Sequence, residues 1–360
     1  MHTNRYFLAA ALAMSIAAPC SVFGAHKGVG AAAVAARSLR DEGPMPSLGG
    51  ASGWLNSAPL TAEALRGKVV LIDFWTYSCI NWLRTEPYVR AWAEKYRAQG
   101  LVVIGVHSPE FEFEKDAANV NWAVNSMNVD YPVAIDSDHA VWNAFRNSYW
   151  PALYIVDSHG LIRYHQFGEG GYEQSERVIQ QLLTEAGSQA VNHEPISIDG
   201  RGLELAADWA NLKSPENYVG YERTENFVSR DGTIPDKHHV YVAPSHLRLN
   251  HWALAGDWIV RKQYIESTRV NARITYRFHA RDLHLVMGPA MAGAPVRFRV
   301  LIDGQAPGAA RGLDVDAQGN GTVRESRLYQ LIRQTEPIAD RDIEIEFLDA
   351  GALAYSFTFG

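Results

Sequence analysis

Cys79 is a soft nucleophile set in a pattern that could use it. It falls within VVLIDFWTYSCINWLRTEPY, residues 69–88, just after an apolar run and just before a stretch with helical spacing. A strand ending at Trp75, a short turn and a helix beginning near Cys79 would set the sulfur at a helix N-terminus. Unpaired N–H groups and the helix dipole favour an anion there, so the spacing predicts a thiolate with a lowered pKa. A thiolate attacks disulfides and peroxides alike. A second cysteine three residues on would lie one helical turn away, on the same face, ready to release a mixed disulfide. That position holds Trp82.

The only other cysteine is Cys20. It lies in a segment that reads as a secretory signal, residues 1–25: Arg5, an apolar stretch from Tyr6 to Ala18, then small residues up to a cleavage site near Gly24 or Ala25. Lipidation at Cys20 is disfavoured by Pro19 immediately before it. Once the signal is removed, one thiol remains in an oxidising compartment, where thiols usually pair. The expected location is the periplasm.

Several elements would position the thiol. KVVLIDFW is a continuous apolar run suited to a strand buried on both faces. TEPYVRAWAEKYRAQG reads as a helix, with Val89, Trp92 and Tyr96 on one stripe and Gly100 as its stop. LVVIGVHS is a further strand, and ALYIVDSHGLIRYHQFG reads as two strands around a turn at Ser158–Gly160. YEQSERVIQQLLTEAG closes the set as a helix with Val178, Leu182 and Leu183 on its apolar face. This order predicts an α/β layer fold over residues 46–190, preceded by a flexible leader, 26–45. Residues 191–216 are polar and broken by Pro and Gly, and read as a linker. Beyond them HVYVA, RITYRFHARDLHLVMG, VRFRVLIDG, DIEIEFLDAG and AYSFTFG alternate with period two. They predict an antiparallel, jelly-roll-like β-sandwich over 217–360.

The chain has 360 residues, 47% apolar and 20% charged, with a net charge of −7. That balance suits two packed domains and gives nucleic acid no basic stripe to bind. No apolar run is long enough for a permanent membrane span.

LIDFWTYSCINW resembles the thioredoxin-fold active site in its TlpA-like and DipZ-like form, which ends in C-x-x-C. The resemblance implies a thioredoxin-like fold and thiol–disulfide oxidoreductase activity. It gives Asp73 the place of the family's buried carboxylate, which moves a proton for the resolving thiol. Pro87 takes the place of the proline that bends the active-site helix. YWPALYIVD is similar to the family's loop-to-strand segment, which implies a cis bond between Trp150 and Pro151 facing the thiol. SPENYVGYERTENF and AYSFTFG resemble the soluble C-terminal part of DipZ-like proteins, a sandwich likened to carbohydrate-binding modules. This chain lacks both the family's membrane-embedded electron-transfer domain and its second cysteine.

The candidate catalytic residues are thus Cys79, Asp73 and Pro151. Trp75, Thr76, Tyr77, Trp82 and Trp150 are the candidates for framing a partner groove. Trp82 has a second reading, as packing beneath the helix, which the burial preference of indole favours. Asp73 has one as an ordinary strand-end carboxylate. The histidines His238, His239, His251, His279 and His284 lack zinc spacing, and DVDAQGNGT (Asp314 to Thr322) lacks the closing Glu of a calcium loop. No metal or other cofactor is called for. Trp252, Trp258 and Tyr264 are the aromatics that could stack on a sugar.

The leading expectation is a monothiol oxidoreductase whose partner is a periplasmic thiol or disulfide protein, or a low-molecular-weight thiol. A redox-inactive module that binds an envelope protein or glycan is the first alternative. A one-cysteine peroxidase is the second, because TYSC also resembles the T-x-x-C core of peroxiredoxins.

Overall fold

Alternation along the first central strand divides the N-terminal half into two layers. In the computed structural model, which describes residues 39–360, β2 (Val69–Trp75) is buried along its whole length. Its odd positions Val69, Leu71 and Trp75 join one core; its even positions Val70, Ile72 and Phe74 join another. A strand presents successive side chains to opposite faces, so β2 needs cover on both. The helices α1 (Ile80–Tyr96) and α4 (Tyr172–Glu185) cover the first face with α2 (Ala117–Ser126); the short α3 (Ala140–Ala144) covers the second.

The sheet has six strands in the order β1-β4-β3-β2-β5-β6. The others are β1 (Gly53–Leu55), β3 (Leu101–His107), β4 (Val133–Ile135), β5 (Ala152–Val156) and β6 (Ile162–Phe167). β2, β3 and β4 run parallel, whereas β1, β5 and β6 pair antiparallel. This is a thioredoxin-like α/β arrangement.

The second sheet is antiparallel throughout its ladders and has eleven strands. They are β7 (Asn217–Tyr218), β8 (His238–Tyr241), β9 (Trp252–Val260), β10 (Ile265–Ser267), β11 (Ala272–Phe278) and β12 (Asp282–Pro289). The remainder are β13 (Val296–Ile302), β14 (Asn320–Val323), β15 (Arg327–Arg333), β16 (Arg341–Phe347) and β17 (Ala352–Phe359). β9 belongs to both faces of the sandwich. Its first half pairs with β11 and its second half with β10. Gly256 sits at the changeover with φ 90°, and a Cβ there would lie 3.1 Å from the Ala272 backbone. Only glycine adopts that conformation freely and fits that approach.

The structure bears on three expectations. Residues 39–45 of the expected flexible leader are tied beside β6: Glu42 N–H donates to Ile162 O at 2.9 Å, and Arg163 reaches the Leu39 and Arg40 carbonyls. The linker 191–216 is an ordered strap. Ile196 N–H donates to Glu176 at 2.9 Å, Arg90 pairs with Glu204 at 3.3 Å, and Arg281 and Arg333 reach the Ala206 and Gly202 carbonyls. The sugar platform also fails, because Trp252 and Trp258 are buried in the sandwich core and Tyr264 packs on Tyr355. Residues 1–25 with Cys20, and the leader up to residue 38, lie outside the described residues.

The two sheets share a core. Val286, Leu328 and Tyr355 of the sandwich belong to the same buried cluster as α1 and α4. Tyr355 meets Phe111 and Phe113, with ring centroids 5.1 and 4.8 Å apart. Residues 39–360 accordingly form one compact unit.

Candidate active site

Cys79 is the N-cap of α1, and Leu83 N–H donates to its carbonyl at 3.0 Å. The thiol faces the carbonyl of Trp150, with the sulfur 3.9 Å from that oxygen. The Trp150–Pro151 peptide bond is cis. Trp150 is fixed in its turn by an indole N–H donated to Ser108 O at 3.0 Å. Ser78, beside the cysteine, donates to Glu114 at 2.6 Å. The other oxygen of Glu114 accepts from Glu110 N–H and Phe111 N–H at 2.7 and 2.9 Å. One buried carboxyl therefore ties the Cys79 turn to the 110–111 segment, and burial raises its pKa to about 7.

Trp82 lies one turn into α1 from Cys79. It is 0% exposed, stacks on Trp75 at 4.3 Å, and donates its indole N–H to Asp73 Oδ2 at 3.0 Å. Gly105 makes room for that stack, since a Cβ there would lie 2.8 Å from Trp75 Nε1. Asp73 is fully buried, and its other oxygen has no partner. Desolvation raises its pKa to about 7, and the indole hydrogen bond only partly opposes this.

The expected groove is therefore different in composition. Trp75, Thr76, Tyr77 and Trp82 are all fully buried and none of them lines the cavity at the thiol. Tyr77 instead stacks on His107 at 5.6 Å. His107 is itself buried, with both ring nitrogens unpartnered, and burial pushes it down to about 3. Trp150 alone of the five lines the cavity.

That cavity measures about 340 Å³ and is built from both sheets and the strap. Cys79, Arg84 and Glu110 come from the thioredoxin-like part, and Trp209 and Glu216 from the strap. Tyr218, Arg223, Ser356 and Thr358 come from the sandwich. Tyr218 donates its hydroxyl to Glu110, Arg223 pairs with Glu110 at 3.1 Å, and the Arg223 guanidinium lies 3.3 Å over the Tyr218 ring. Nothing in the local sequence around Cys79 signals these roof residues.

The roof reverses the expected electrostatics. Cys79 is half-buried, at the bottom of a cleft, and desolvation pushes its thiol well up from the ordinary cysteine value. The carboxylates of Glu110 and Glu216 push the same way, while the N–H groups of Trp82 and Asn81 oppose them and lose. A helix end contributes roughly 0.3–1 kcal/mol at exposed sites, less than burial and two nearby carboxylates together take away.

Elsewhere, carboxylates of DVDAQGNGT are held by protein donors. Asp316 accepts from Asn320 N–H at 2.8 Å, and Asp314 pairs with Arg327 at 2.7 Å. Among the described residues no group of three or more His, Cys, Asp or Glu could hold a metal, and no helix is long and apolar enough to cross a membrane.

Comparison with known proteins gives two family matches. Residues 214–360 match "Thioredoxin like C-terminal domain" and residues 52–165 match the "AhpC/TSA family". The chain is similar to "Protein DipZ" of Mycobacterium tuberculosis, 39% identical over 256 residues, which cover 70% of this chain and 36% of DipZ. It thus spans about a third of that relative's length. "Thiol-disulfide oxidoreductase YkuV" of Bacillus subtilis is 34% identical over 142 residues, 39% of this chain and 95% of YkuV. A solved "Thioredoxin-like Protein in the Oxidized Form" is 36% identical, with TM-score 0.37, over 41% of this chain and 99% of its own.

Proposed function

The chain belongs to the TlpA-like and DipZ-like thioredoxin family of thiol–disulfide oxidoreductases, and on that premise we propose that it exchanges disulfides through Cys79 alone. The observation that carries this reading is the Trp82 indole bonded to Asp73, in the place where the family's second thiol would be. The sulfur still lines an open cavity beside the Trp150 carbonyl, so an incoming disulfide has a route to it. A mixed disulfide formed there has no internal thiol to displace it and persists until an outside thiol arrives. Cys79 is the nucleophile in this reading, and the backbone at Trp150–Pro151 shapes the approach. Asp73 is a structural acceptor, with no thiol for it to serve. We also propose that the protein works in the periplasm, on the strength of the signal-like residues 1–25.

A second reading is favoured by one observation, the upward shift of the thiol. A redox-silent binding module would keep Cys79 protonated and buried in this way. The peroxidase reading has less support, because the Thr76 hydroxyl that T-x-x-C would offer a peroxide is buried away from the cavity.

Incubation with oxidised glutathione, followed by intact-mass spectrometry, separates these readings. One adduct is expected, absent in Cys79→Ser and stable until dithiothreitol is added. Its rate of formation should still be climbing at pH 9, because the thiol titrates above the free value of ~8.5. A natively folded chain that forms no adduct at any pH up to 9 would identify the binding module.

A further inference from the structure

The thiol cavity carries two charged groups that disulfide exchange itself does not require. Arg84 is 3% exposed. Its Nη1 meets Glu169 only loosely, at 3.4 Å, and its Nε has no acceptor at all. A buried N–H without an acceptor bears its desolvation uncompensated, which marks a place where a ligand oxygen would be stabilising. On the same cavity stands Glu216, whose carboxyl makes no salt bridge among the described residues. Burial and the neighbouring Glu110 push it up to about 8, against the pull of Arg223 and Tyr218, so a ligand cation beside it would favour its ionised form. A thiol, an under-satisfied cation and a carboxyl without a salt bridge thus line one small space.

We propose, resting on exchange at Cys79, that this cavity selects the disulfide of a zwitterionic, amino-acid-derived low-molecular-weight thiol. The ligand's carboxylate accepts from Arg84, its ammonium faces Glu216 and Glu110, and its disulfide lies over Cys79.

Size and cover support a small ligand. About 340 Å³ is near the lower end of ligand cavities, ~300–1,000 Å³, and holds an amino-acid-sized group. The strap residues Ser214–Glu216 and the strand residues Ser356 and Thr358 line the cavity together with Ser148–Trp150. An extended polypeptide would need that same space along the Trp150–Pro151 edge.

The step balances without a further reagent. Cys79 sulfur forms a bond to one substrate sulfur, the substrate S–S bond breaks, and the departing sulfur leaves as a thiol carrying the proton that Cys79 gave up. The released ligand sulfur is reduced and Cys79 is oxidised into the mixed disulfide, so no other oxidant or reductant enters the step. An ammonium between Glu216 and Glu110 would also offset the charge that opposes the thiolate, so the preferred ligand improves its own nucleophile.

The test measures adduct formation on the full chain at pH 8 with four disulfides: cystine, bis(2-hydroxyethyl) disulfide, 3,3′-dithiodipropionate and insulin. Cystine is expected to react about tenfold faster than the neutral disulfide, the effect of one charge-assisted hydrogen bond. The dianion should be slower than the neutral compound, and insulin unreactive. Glu216→Gln changes a side chain open to the cavity. It should cut the ratio of the cystine rate to the neutral-disulfide rate several-fold, while the neutral disulfide itself reacts faster because a carboxyl that opposes the thiolate is gone. Equal rates for the three small disulfides, or insulin as fast as cystine, would overturn the selectivity while leaving monothiol exchange in place. No adduct from any of the four, in a chain with native circular dichroism, would overturn exchange and selectivity together.

Discussion

At Asp73 the indole of Trp82 decides the hydrogen bonding: the buried carboxyl accepts its N–H. Burial keeps it protonated up to about pH 7, against an ordinary value of 3.8. The sign follows from linkage: the folded state binds this proton more tightly than the unfolded state. Asp73 therefore lowers stability progressively as pH rises from about 4 to 7, and the loss is complete above the folded pKa. Asp73→Asn keeps an oxygen for Trp82 and has no such titration. Urea unfolding should find the variant's advantage over the wild type larger at pH 8 than at pH 5, by on the order of 2 kcal/mol. An advantage equal at the two pH values would mean that the carboxyl does not titrate in this window.

The first turn of α1 is where a dithiol would be rebuilt. Trp82→Cys puts a thiol one turn beyond Cys79, and mild oxidation should then remove two hydrogens from the protein's mass. The same change takes a buried indole from its stack on Trp75, so thermal or urea unfolding should show a loss of about 3–5 kcal/mol, as for other large buried aromatics. A folded variant that never forms the internal disulfide would show that the turn no longer has dithiol geometry. The parts of the fold that were legible in the sequence share a physical cause. β2, β3 and β5 are apolar runs of five to seven residues, β6 follows β5 across a turn at Ser158–Gly160, and α4 keeps its stripe at Val178, Leu182 and Leu183. α2, with the sequence AANVNWAVNS, buries only Val120, Ala123 and Val124, and β4 has three residues; neither is long enough to carry a periodic signal. β9 was hidden differently, because its bend at Gly256 changes which face each residue serves. At the site, the position of Cys79 could be read from spacing, whereas its electrostatics could not. A helix end is a local feature, but Glu110, Glu216 and the sandwich residues meet the sulfur only through tertiary contact.

At the scale of the whole molecule, the two sheets are joined by more than a covalent tether. Tyr355 is 4% exposed and packs on Phe111 and Phe113 across the junction. Because the core is continuous, calorimetry should record one cooperative transition for residues 39–360. Tyr355→Ala should lower its midpoint, with a cost of about 3–5 kcal/mol. Two resolved transitions in the wild type would show that the sheets are energetically separate. The roof also has a consequence in time. Cys79 lies far ahead in sequence of Ala352–Phe359, the strand whose Ser356 and Thr358 help cover it, so the cover depends on a long-range closure. Until that strand is seated with the strap, the sulfur lacks part of its cover.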